Sequence, residues 1–213
     1  MDEALRPAYA FEAVRDIPYV ALPSRLAVAL IEPDIIEPDL NPIATLFSVR
    51  RAGCALKSEA LGQALQELNV SVEYVVVPFL WHTTLLSFKN PPPGDVLVHA
   101  MGLAPAYHTY LLGTITDRRF VLDATWDSPL ASVGAPVNVF DVSGPTEQIA
   151  VIPCGEARTF ATAAEAARYR LAIYQKRRSD NSLGAVGRRA AFDRFVEGLN
   201  LWLHKIRTSV QKL

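Results

Sequence analysis

Cys54 follows Gly53 at the head of an amphipathic segment, residues 54–68. A thiol at a helix N-terminus sits beside unpaired N–H groups and the positive end of the helix dipole. Both favour the thiolate, which is the nucleophilic form. Gly53 would let the chain turn sharply and leave room for a substrate against the backbone. Core packing is the competing reading. Cys54 shares a helical stripe with Ser58, Leu61, Leu65 and Leu68, and cysteine is among the most buried residue types.

A thiol catalyst needs a base, and the base needs a group to orient it. His204 lies in the amphipathic C-terminal segment, His82 follows Trp81 at a strand exit, and His99 sits inside the apolar run VLVHAM. All three read as structural. His108 instead opens a strand after the loop APAY, and Asp123 closes the returning strand 15 residues later. A hairpin centred on 115–116 makes them a cross-strand pair with Cβ atoms about 5 Å apart. A turn one residue later leaves them in diagonal contact. A carboxylate there would fix the tautomer and orientation of the imidazole. Asp123 is also the one acid in the strand end FVLDATW, a costly place for an unpaired charge.

Several elements must position these side chains. Residues 54–68 read as a helix that stops at Asn69, and SVEYVVVPF (71–79) reads as a strand. NPPPGD (90–95) is a loop, since consecutive prolines donate no backbone hydrogen bonds. VLVHAM (96–101), HTYLLGTI (108–115) and RRFVLDAT (118–125) are strand candidates, with a further one at 149–153. Helices are expected over 161–178 and 190–207, separated by SDNSLG. Prolines break residues 1–45 into short pieces, and the IEPD pair at 31–34 and 36–39 is too short to be a structural repeat. A helix starts near Ile43–Arg50, with Asp39 or Asn41 as its cap. Helix first, antiparallel strands next and helices last make the chain α+β. It reads as a single domain, 1–213, with a catalytic core over about 40–155 and a helical extension over about 156–213.

Two stretches resemble the transglutaminase-like superfamily. Gly53-Cys54, the helix after it and LNVSVEYVVV resemble the first half of that core, and HTYLLGTITDRRFVLDATWDSPL resembles the second. The resemblance implies a papain-like fold and a Cys54–His108–Asp123 triad, with acyl chemistry through a thioester. Gly53, Tyr110 and Trp126 would line the substrate site. Tyr110 stands where many relatives carry the Trp of an H-A-W run. The segment WHTTLLSFKNPPPG, around 81–95, has no counterpart and reads as a lid, a specificity loop or a surface insertion. The second oxyanion donor is not recognisable. Arg50-Arg51-Ala52-Gly53-Cys54 partly resembles the R-G-G-x-C run of arylamine N-acetyltransferases, but the D-A-T-W run favours the transglutaminase-like branch. Hydrolysis of a peptide or amide bond is expected, as by a protease, amidase or deamidase. The alternatives are an acyltransferase or cross-linking enzyme with an amine acceptor, and a non-catalytic protein-binding module on the same fold.

Composition narrows the partners. The chain is 50% hydrophobic and 20% charged, with net charge -1 and pI about 6.4. A basic nucleic-acid-binding body is excluded. Charge is uneven: 12 Lys/Arg face 5 Asp/Glu from Glu156 onward, net +7, and 9 face 17 before it, net -8. The basic helices are either solvated faces or a dock for the acidic body or an acidic protein partner. The stripe Phe192, Phe195, Leu199, Trp202 and Leu203 reads as packing against the body. The acidic catalytic half favours a cationic or neutral substrate. No apolar run of 18 residues, no secretory pattern and no disulfide framework point to a cytoplasmic protein away from membranes. Cys154 reads as a packed, inert thiol. No metal-ligand cluster, phosphate loop or dinucleotide fingerprint appears, so no metal or cofactor is expected.

Overall fold

The computed structural model describes residues 6–21, 42–115, 118–140, 148–178 and 183–211. The IEPD pair and the caps expected at Asp39 and Asn41 lie outside those residues. Helices α1 (Arg6–Arg15), α2 (Pro42–Val49) and α3 (Cys54–Glu67) come first, followed by strand β1 (Ser71–Phe79). Helices α4 (Trp81–Leu86) and α5 (Gly94–Met101) lead to β2 (Ala106–Ile115) and β3 (Arg118–Leu122). A 3₁₀ turn (Ser128–Val133), β4 (Arg158–Phe160), α6 (Ala163–Arg178) and α7 (Leu183–Val210) complete the order. The chain is α+β, with one four-stranded antiparallel sheet in the order β3-β2-β1-β4.

The run SVEYVVVPF makes β1 one of the two interior strands because its β-branched and aromatic residues pack on both faces. Val72, Tyr74 and Val76 join a cluster with Phe11, Leu46, Leu61 and Leu65 of α1–α3. Val77 and Phe79 join the opposite one, with Trp81, Val96, Phe195 and Leu199. Helix α3 crosses β1 closely at Gly62, where a Cβ would lie 2.1 Å from the Tyr74 hydroxyl. Any larger residue there would push Tyr74 out of the core. The chain leaves α3 through Asn69 at φ 60°, the left-handed turn that asparagine tolerates better than most residues.

Several expectations change. VLVHAM is helix α5 rather than a strand, so His99 is half-buried on a helix instead of inside a sheet. Its apolar residues are also spaced for a helix: Val96 and Ala100, four apart, face inward. His82 lies in α4, which opens two residues after β1 ends, rather than in the strand itself. The stretch 149–153 makes only one isolated bridge, Phe79 to Pro153, and the fourth strand comes later, at 158–160. The 81–95 segment is anchored in the core at its start, while most of residues 86–95 are exposed. Trp81, Leu85 and Phe88 are core residues under α7. The stripe on α7 faces inward as expected, with Phe195, Leu199 and Leu203 fully buried.

Candidate active site

The β2–β3 hairpin decides how His108 meets Asp123. Leu111 pairs with Leu122 and Ile115 with Arg118, so the hairpin is centred between 116 and 117, one residue later than the symmetric reading. Asp123 therefore lies just past β3, diagonal to His108 on the same face. The side chains close the gap: His108 Nε2 and Asp123 Oδ2 are 2.7 Å apart, both groups almost fully buried. Asp123 also accepts the Ala150 N–H at Oδ2 (2.7 Å) and the Thr125 N–H at Oδ1 (3.1 Å). Three donors fix the carboxylate, and the carboxylate fixes the ring.

With Nε2 committed to Asp123, Nδ1 is the nitrogen left for Cys54, and the thiol hydrogen-bonds the His108 ring. Cys54 is the first residue of α3 and is half-buried. β3 stops short, pairing with β2 only from Leu111 onward, so the start of β2 has a free edge. Helix α3 occupies that edge. Ser58 donates to the Thr109 carbonyl at 2.8 Å, and the Thr109 N–H reaches the Cys54 sulfur. Gly53 is the N-cap with φ -79° and only an ordinary contact to Val20 O. Its backbone needs no glycine, so a sharp turn is not its role.

Burial pushes the Cys54 thiol up. The His108 bond and charge, the Thr109 N–H and the Arg170 charge outweigh it and hold the thiol below its ordinary value. Burial disfavours the His108 cation, yet the Asp123 charge and bond, helped by Cys54, raise it to about 10. Burial raises Asp123 as well, but His108 and the donors bring it below its usual range. The three shifts favour thiolate, imidazolium and carboxylate in a row.

The residues expected to line a substrate site divide. The Tyr110 ring is half-buried and stacks beside His108, with centroids 6.0 Å apart at 23°. Trp126 is 1% exposed and offers a substrate no surface. It is a core residue: its Nε1 donates to the Ala150 carbonyl at 2.8 Å, steadying the peptide whose neighbouring N–H holds Asp123. Cys154 is an exposed free thiol, not a packed one. Arg50 and Arg51 are exposed.

Sequence reasoning passed over several residues that frame the site. Lys57 is fully buried one turn after Cys54, and its Nζ donates to the carbonyls of Arg15 (2.8 Å), Ile17 (2.7 Å) and Thr125 (3.0 Å). Burial lowers it to about 7, against the pull of Asp127 and Asp123. Its place beside the Cys54–Leu61 stripe was the available signal. Asp127 takes the Tyr19 N–H at 3.0 Å and is clasped by Arg207 through Nε (2.7 Å) and Nη2 (2.6 Å). Tyr19 itself runs parallel to Ala52, two residues before Cys54. Among the described residues no three His, Cys, Asp or Glu side chains group as metal ligands would.

No family model, no curated protein and no solved structure matches the chain. Among the described residues no helix is long and apolar enough to cross a membrane.

Proposed function

We propose that the protein is a papain-like, transglutaminase-like cysteine enzyme that acts through a thioester, most simply as a hydrolase of a peptide or amide bond. The observation that carries this reading is the order Cys54, His108, Asp123 at one end of β2, with the 2.7 Å His108–Asp123 bond holding the ring toward the thiol. A structural cysteine has no use for a buried, charged partner of that kind.

The steps follow from the geometry. The Cys54 thiolate attacks the amide carbonyl carbon, and the C–S bond forms as the carbonyl electrons move onto oxygen. The N–H at the start of α3 stabilises that oxyanion. His108 gives its Nδ1 proton to the leaving nitrogen as the C–N bond breaks, leaving a thioester. Water attacks the thioester and gives a proton to His108, the C–S bond breaks, and the acid departs. An amine in place of water would make a transferase by the same route. The reaction needs a reduced thiol, which fits the free state of both cysteines and a cytoplasmic setting.

The test is alkylation of the folded protein with limiting iodoacetamide at pH 7, with the label located by mass spectrometry. Fast labelling at Cys54 that drops in His108→Ala and Asp123→Asn supports a working triad. Screens with amide substrates, with and without an added amine, then separate hydrolysis from transfer. If Cys54 stays unlabelled until denaturant is added, the thiol is core and the enzyme reading falls. The surviving alternative is then a binding module, tested through a protein partner on the basic helices α6 and α7.

A further inference from the structure

Lys57 lies in the first turn of α3 and is fully buried. Its backbone N–H takes the Gly53 carbonyl at 3.2 Å, the bond that closes the turn carrying Cys54. The three N–H groups of its ammonium are spent as well, on the carbonyls of Arg15 (2.8 Å), Ile17 (2.7 Å) and Thr125 (3.0 Å). Charges surround it from three sides: Asp16 after α1, Asp123 and Asp127 after β3, and Arg207 on α7. Its own bonds nevertheless go to neutral oxygens. A methionine would fill the same space without the cost of burying a charge. What a methionine cannot do is gather three chain segments at one point.

Each of those carbonyls belongs to the frame of the site. Arg15 ends α1, where a cation complements the helix dipole. Ile17 precedes Pro18, whose carbonyl accepts the Ala52 N–H at 3.1 Å, while the Val20 N–H donates to the Ala52 carbonyl at 3.1 Å. That pairing sets the path of the chain into Cys54. Thr125 follows β3, and its N–H donates to Asp123 Oδ1 at 3.1 Å. The other carboxylate oxygen holds the His108 ring at 2.7 Å. One ammonium therefore joins the helix that carries the thiol to the turn that carries the acid.

We infer that Lys57 is a positioning residue for the proposed reaction: it ties the first turn of α3 to the turn after β3, and so sets how Asp123, and through it His108, faces the Cys54 thiol. The inference rests on the thioester reading above.

The experiment follows iodoacetamide labelling of Cys54 and Cys154 at pH 7 and pH 8 in the unmodified protein, in Lys57→Met, in Asp123→Asn and in the double variant, with circular dichroism as the check on folding. In folded Lys57→Met, Cys54 should label about tenfold more slowly at pH 7, a smaller loss than removing the base itself. Its labelling should also regain the steep pH dependence of an ordinary thiol, which a loss of stability in a folded protein does not produce. Cys154 should not change. In the Asp123→Asn background the effect of Lys57→Met should shrink to less than about twofold, since the two residues act by one route. An unchanged Cys54 rate and pH slope in folded Lys57→Met overturns the inference, as does a loss that persists in full in the Asp123→Asn background, and both leave the triad standing. Should Lys57→Met fail to fold, magnetic resonance spectra of the protein grown on isotope-labelled lysine decide. Coupling quickens hydrogen exchange at the Lys57 ammonium in Asp123→Asn, and an unchanged rate overturns the inference. Inertness of Cys54 before denaturation overturns the thioester reading and this inference with it.

Discussion

Cys154 sits in an exposed loop at the end of β1, its N–H spent on the Pro78 carbonyl at 2.9 Å. Cys54 starts a helix, bonds a histidine backed by a buried carboxylate, and receives the Thr109 N–H. The functional group is the same in both places. Exposure alone would make Cys154 the more reactive. The environment of Cys54 argues the other way, because a thiolate needs fixed donors and a nearby cation more than it needs open solvent.

The contrast is broken most strongly at the base. His108→Ala should slow Cys54 alkylation about 100-fold, the lower range for a positioned acid–base group, and leave Cys154 unchanged, as peptide mapping of both labels would read. An unchanged Cys54 rate in His108→Ala would mean that the imidazole does not activate the thiol. Lys57→Met attacks the support of one thiol only. It orphans three buried carbonyls, so urea unfolding should show a loss of about 3 kcal/mol, with no change in the intrinsic reactivity of Cys154.

The pH profile sharpens the comparison. Cys54 is lowered and His108 is raised to about 10, so the thiolate–imidazolium pair persists as pH falls below the ordinary thiol range. Labelling of Cys54 between pH 8 and 7 should decline less than the roughly tenfold per unit of an unperturbed thiol, and His108→Ala should restore the steep decline. A steep decline in the unmodified protein would mean that the pair does not form. The smallest effect belongs to a surface contrast. Arg119 and Glu73 form an ion pair with both side chains about half exposed, so Arg119→Ala should lower the unfolding free energy measured in urea by less than about 0.5 kcal/mol and leave both labelling rates alone.

The positions of Cys54, His108 and Asp123 were readable because each follows from local chemistry: a cysteine at a helix start, a histidine at a strand start, an acid at a strand end. Their meeting could be anticipated from hairpin arithmetic, although the turn lies one residue later and the contact is diagonal. VLVHAM was misread because six apolar residues fit a buried strand and a buried helix equally well. Arg170 and the Asp127–Arg207 clasp were not legible, and Lys57 showed only through its place beside the Cys54 stripe. Their partners are backbone carbonyls or charges far away in sequence, and a lysine or arginine inside a helical pattern looks solvated until tertiary packing covers it. Cys154 was taken as packed for the opposite reason: its short apolar run VIPC hid an exposed loop.

The clasp has a consequence in time. Asp127 holds the strand-like turn at Tyr19 beside the nucleophile, and its counterion, Arg207, lies 80 residues further along. During synthesis the helix, the hairpin and the thiol all emerge before that arginine. The nascent chain therefore carries the Asp127 carboxylate without its cation, and the segment it holds beside Cys54 stays loosely built until Arg207 has been added.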